Sequence, residues 1–74
     1  MTKRAARCVI DCVLYEPSGA WVATRHRQGD GHYLGGPNAH ARAMLEAHRR
    51  SDEYAARGYR VPVVVSSAAS EVTP

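Results

Sequence analysis

Along the chain, apolar positions gather into three short runs and one long periodic stretch. Arg7–Tyr15 (RCVIDCVLY) and Ala20–Arg27 (AWVATRHR) are rich in apolar and β-branched residues, the mark of strands. The turn-forming EPSG at Glu16–Gly19 separates them, so the two runs predict a hairpin. Gln28–Gly31 (QGDG) is a second turn, and His32–Leu34 is the candidate for a short third strand. Tyr59–Ser66 (YRVPVVVS) reads as the last strand. Pro62 has no N–H for a ladder, which predicts a sheet edge or an irregularity near the start of that strand.

The periodic stretch is Asn38–Arg57 (NAHARAMLEAHRRSDEYAAR). Pro37 and Asn38 suit a helix start, Gly58 suits a C-terminal cap, and the interior holds neither glycine nor proline. Ala41, Met44, Leu45, His48 and Ala55 recur at the spacing of one buried stripe. Arg42, Glu46, Arg49, Arg50, Glu53 and Arg57 make the opposite side, with four-residue spacings for Arg42–Glu46, Glu46–Arg50, Arg49–Glu53 and Glu53–Arg57. A solvated charged face is the ordinary reading of such mixed signs. The order is therefore β-β-(β)-α-β. This is an α+β fold with a small antiparallel sheet, made of the hairpin, the C-terminal strand and the candidate third strand, packed on one amphipathic helix. Residues 1–6 read as a flexible basic arm, 7–66 as a single domain and 67–74 as a flexible tail.

Pairing Tyr15 with Ala20 sets Leu14 against Trp21, Cys12 against Ala23 and Ile10 against Arg25. The face with Cys8, Ile10, Cys12, Leu14, Trp21 and Ala23 is then the more apolar and takes the helix. Val9, Val13, Tyr15 and Val22 are left on the second face as an interface, which predicts a homo-oligomer or a larger protein partner. Composition points the same way. A chain of 74 residues with no Phe and one Trp has little to bury, and domains of this size enclose only about 60% of their unfolded surface.

The net charge is +3, from nine Arg and one Lys against seven acids. The Arg skew fits a GC-rich genome, and the charge permits a polyanion partner without requiring one. By analogy alone, such a chain resembles accessory proteins of phages and other mobile elements. Cys8 and Cys12, four apart in a strand, lie about 13 Å from each other, beyond the roughly 7 Å that a disulfide spans. Two reduced thiols, no signal-peptide pattern and no long apolar run predict a cytoplasmic protein with no membrane partner.

The residue types that carry chemistry are sparse. His26, His32, His40 and His48 match no zinc-ligand spacing, and no nucleophile has a base beside it, so neither a metal, a cofactor nor a catalytic residue is expected. Tyr15–Gly36 (YEPSGAWVATRHRQGDGHYLGG) resembles the opening of Nudix hydrolases. The resemblance ends there, because the helix that follows has Glu46, Asp52 and Glu53 among arginines in place of that family's acidic signature. The remaining candidate is an anion site. Gly35, Gly36 and Asn38 lie at a helix N-terminus, where free N–H groups and the dipole favour negative charge. Arg25 and Arg27 share one side of a strand end, and His32 is near in sequence. The expected function is a small non-enzymatic binding protein that holds a phosphate-bearing ligand, nucleic acid or nucleotide, at these six residues. The alternative is a homo-oligomeric protein-interaction module.

Overall fold

The structure, a computed structural model, describes residues 6–68. The elements are β1 (Ile10–Tyr15), β2 (Gly19–Thr24), β3 (His32–Gly35), α1 (Ala39–Ala56) and β4 (Val63–Ala68). The expected α+β architecture is present: one helix packs on a four-stranded, mostly antiparallel sheet of order β3-β2-β1-β4. β4 alone joins in parallel, beside β1. The chain leaves β3, crosses the sheet as α1 and returns running the same way as β1, as parallel neighbours require. Pro62 stands just before β4, which is an edge strand. Ser67 and Ala68, expected in the tail, belong to β4; the remaining tail and residues 1–5 of the arm lie outside the described residues.

The hairpin register differs from the expected one by a single residue. Tyr15 pairs with Gly19, Leu14 with Ala20, Val13 with Trp21 and Cys12 with Val22. Gly19, expected in the turn, is instead the first residue of β2, and it passes close to β3: a Cβ there would come within 2.2 Å of the Leu34 carbonyl oxygen. A slip of one exchanges the two faces of β2. Ala20, Val22 and Thr24 turn toward the helix with Ile10, Cys12 and Leu14, while Trp21 and Ala23 join Asp11, Val13 and Tyr15 on the open face. Val22 is therefore core, fully enclosed, and not part of an exposed interface.

The helix is also rotated from its expected setting. Leu45 is 70% exposed, and Ala41, His48 and Ala55 face outward with it. The buried side is Ala39, Ala43, Ala47 and Arg50, with Met44 and Tyr54 partly covered. Alanines one turn apart let the helix backbone sit close to Ile10, Cys12, Ala20 and Val22, which supply the volume. Asn38 precedes the helix in a left-handed conformation (φ 60°) and makes no side-chain cap. At the other end, the N–H groups of Arg57, Gly58 and Tyr59 donate back to the last turn, and Gly58 takes the positive φ expected of a helix stop. Cys8 and Cys12 are buried and unpaired. The Cys12 thiol donates to the Met44 sulfur at 3.9 Å, and burial pushes both thiols above their ordinary pKa.

This packing makes an asymmetric prediction. Ala47→Leu, a larger side chain at a closed contact, should cost about 1–3 kcal/mol, whereas Leu45→Ala should change stability by no more than about 0.5 kcal/mol. Thermal unfolding of both variants checks it; a greater loss at Leu45 than at Ala47 would reverse the helix setting.

Candidate functional site

The six residues expected to form one anion site fall at two ends of the sheet. Gly35 pairs with Gly19 at one end of β2, and Arg25 follows Thr24 at the other. Six strand residues separate them, about 20 Å. Arg25 is also committed: its Nη2 lies 2.8 Å and its Nε 3.2 Å from the Asp11 carboxylate. Asp11 sits opposite Ala23, so this is the diagonal pair on the open face.

At the Gly35–Asn38 end, Gly36 and Asn38 both have positive φ, and the turn presents carbonyls to Arg42. Arg42 Nε donates to the Pro37 carbonyl at 3.3 Å and Nη2 to that of Gly35. The Gly36 carbonyl accepts the Ala39 N–H at 3.2 Å. A shallow recess of about 280 Å³ lies beside Gly36, Asn38, Ala39 and His40, but Glu16 and Pro17 form its other wall. His40 Nδ1 is 3.4 Å from the Glu16 carboxylate. A carboxylate at the mouth opposes a second anion, so this end is a poor phosphate site.

Arg27 and His32 are brought together at the other end. They line a cleft of about 310 Å³ with Thr24, Asp30, Arg49, Arg50, Glu53 and Tyr54. Its floor is an ion-pair network. Arg50, only 9% exposed, donates to the Asp30 carboxylate at 2.8 Å, to the Asp30 carbonyl at 3.2 Å and to Glu46 at 3.0 Å. Arg49 bridges Glu46 and Glu53 from the solvent side. Two of the helical pairs expected from spacing thus form, while Arg42 turns back to the glycine turn and Arg57 lies over the Tyr54 ring. Burial opposes ionisation of Asp30, but the nearby polar groups of Thr24 and the hydrogen bonds from Arg50 outweigh it and hold the carboxyl below its ordinary pKa. Arg49 foremost, against burial and with help from Arg50, does the same for Glu46. Thr24 Oγ1 is buried and has no partner in hydrogen-bond geometry, though it lies close enough to Asp30 to favour the carboxylate.

The third feature is the open face of the sheet. Val13 and Tyr15, two of the expected interface residues, lie on it half-buried; Val9 is covered within the chain itself. Register adds three side chains that sequence reasoning placed elsewhere or passed over: Trp21 (39% exposed), Tyr33 (52%) and Val64 (40%). The rings lie flat because glycines make room beneath them. A Cβ on Gly31 would fall 1.9 Å from the Trp21 indole, and one on Gly19 would fall 2.8 Å from the Tyr33 hydroxyl. The Tyr15 and Tyr33 rings stand 6.4 Å apart at a tilt. No local spacing signals this surface: Gly19 and Gly31 were both read as turn residues, and the rings they receive come from other parts of the sheet.

The buried network generates a pH prediction. Asp30 and Glu46 have folded pKa values below their unfolded ones, so their stabilisation is complete above the unfolded values and is lost as pH falls through the folded ones. Stability measured in urea should drop on acidification below about pH 4, and Asp30→Asn should flatten that drop. Arg50→Ala, which leaves Asp30 without its cation and Glu46 with Arg49 alone, should cost about 3–5 kcal/mol at neutral pH; an unchanged midpoint would remove the network from the fold's supports.

No family model, curated protein or solved structure matches this chain.

Proposed function

We propose that this chain is a small non-enzymatic protein-interaction module that seats a larger protein on the open face of its sheet. The supporting observation is the aromatic and aliphatic surface of Val13, Tyr15, Trp21, Tyr33 and Val64, with Trp21 and Tyr33 seated against glycines, on the side that no element of the described chain covers. Contiguous apolar surface of this kind marks an interaction site, and Trp and Tyr are the side chains that dominate binding energy at interfaces. Arg25, the arginine that follows β2 on this face, is already paired with Asp11, which leaves it less able to hold a phosphate backbone beside the rings.

A second reading rests on the cleft. Arg27 and His32 have no side-chain hydrogen bond or ion pair among the described residues, and both face the same 310 Å³ space beside Thr24. A phosphate-bearing ligand would meet two uncommitted donors there. Under this reading Arg27→Ala abolishes binding of a nucleotide in calorimetry, and Arg25→Ala, whose side chain belongs to Asp11, leaves it unchanged.

The deciding experiment is native mass spectrometry of the full chain with its co-purifying partner retained. The open-face reading expects a protein partner that stays bound as salt rises and is lost from the double variant Val13→Glu with Trp21→Glu. Retention of the partner by that variant, or a nucleic-acid partner that dissociates steeply with salt, would sink it.

A further inference from the structure

We infer that the outer edge of β4 is a self-pairing surface whose occupant is a second copy of this chain, joined in antiparallel register about Val65. This goes beyond the open-face reading, because it concerns the edge of the sheet and not its face, and either can fail alone.

The backbone states which groups are on offer. The carbonyls of Arg60 and Pro62 accept from the N–H groups of Cys8 and Ile10 at 2.8 and 3.0 Å, so even-numbered residues on this strand turn inward to β1. Along a strand, successive residues direct their N–H and C=O to opposite sides. Val63, Val65 and Ser67 therefore aim theirs outward, where no further strand lies among the described residues. Exposed edges are normally guarded by charge, proline, a bulge or a covering element. Among the described residues β4 has none of these guards: VVVSSA holds no charge and no proline, it runs in unbroken register with β1 from Ile10–Val63 to Tyr15–Ala68, and no described element lies along its outer edge. Val65 is 46% exposed on the helix side, because α1 lies over β1, β2 and β3 and barely reaches β4. The other edge, β3, is four residues long and closed at both ends by glycine turns.

Symmetry selects the occupant. A two-fold axis normal to the sheet makes the neighbouring strand antiparallel and keeps both helices on one side. Residues that meet across it must point to the same face. Centring on Val65 satisfies this: Val65 meets Val65 of the second copy, Val63 meets Ser67, and Val64 meets Ser66. The three outward residues are symmetric about that centre, so every outward N–H and C=O from Val63 to Ser67 finds a partner in the other copy. With no charge on the edge, two copies meet without repulsion, and a different protein has no charge by which to be preferred. The result is an eight-stranded sheet, within the range of open sheets, whose open faces form one continuous surface. The contact is small, so the association belongs to the weak, concentration-dependent class.

Sedimentation equilibrium of the full chain over a wide concentration range tests this. The expected limit is twice the 8.1 kDa chain mass. Val65→Lys sets two like charges face to face and should return the protein to monomer with its circular dichroism unchanged. Val65→Pro removes only an outward N–H and should do the same without touching the β1–β4 ladder, so the two variants together separate lost pairing from lost folding. Leu45→Lys, which alters the exposed leucine of the helix, should leave the dimer intact. In a mixed labelled and unlabelled sample, intermolecular NOEs should connect the Val65 methyls of the two copies. A monomer at the highest soluble concentration, a dimer that survives Val65→Lys and Val65→Pro, or NOEs centred on Trp21 would each overturn the proposal.

Discussion

The seat of α1 on Ile10, Cys12, Ala20 and Val22 is the contact on which the other surfaces depend. The chain has no phenylalanine, so bulk is supplied by the strands while the helix contributes small side chains and comes close. That closeness turns Ala39, Ala43 and Ala47 inward. Leu45 then has no choice but to face water, at about 100° per residue around the helix. It also brings Arg50 over the end of the sheet, where Asp30 and Glu46 must compensate a cation that burial would otherwise penalise heavily. The ion-pair network is thus a consequence of the alanine contact. In return it ties the β2–β3 turn to the helix.

A single helix on a four-stranded sheet covers one face and leaves two kinds of surface unfinished. The open face is finished in part by its own aromatic rings, which lie down over Gly19 and Gly31 and shield what they can. The edge of β4 is not finished at all, since nothing in its side chains or backbone discourages another strand. The two ends of the sheet are chemically distinct as well. One is closed by Arg42 on the glycine turn with a carboxylate nearby, and the other holds the cleft in which Arg27 and His32 remain uncommitted.

The site was less legible than the fold because it depends on which residues meet across the sheet. Glycine at a helix N-terminus, paired arginines at a strand end and a nearby histidine are each visible in sequence, but the pattern contains no length scale across the sheet. The hairpin puts Arg25 and Gly36 at opposite ends because β3 runs back along β2, with Gly35 returning to Gly19. The partner of Arg25 was hidden for a related reason: Asp11 reaches it only when it stands opposite Ala23.

By itself, the sequence determined the order and type of the elements and the helix stop at Gly58, and from Pro62 it limited the last strand to a sheet edge or an irregular start, because these follow from local backbone chemistry. Tertiary structure alone decided the hairpin register, the rotation of the helix and the parallel entry of β4. Strand side chains alternate, so one residue of slip moved Trp21 to the open face and Val22 into the core, and both sides of β2 carry apolar residues, so hydropathy does not choose between the two registers. Alanine occurs on several sides of the helix, so hydropathy could not say which stripe is buried; the depth of the sheet surface beneath it could.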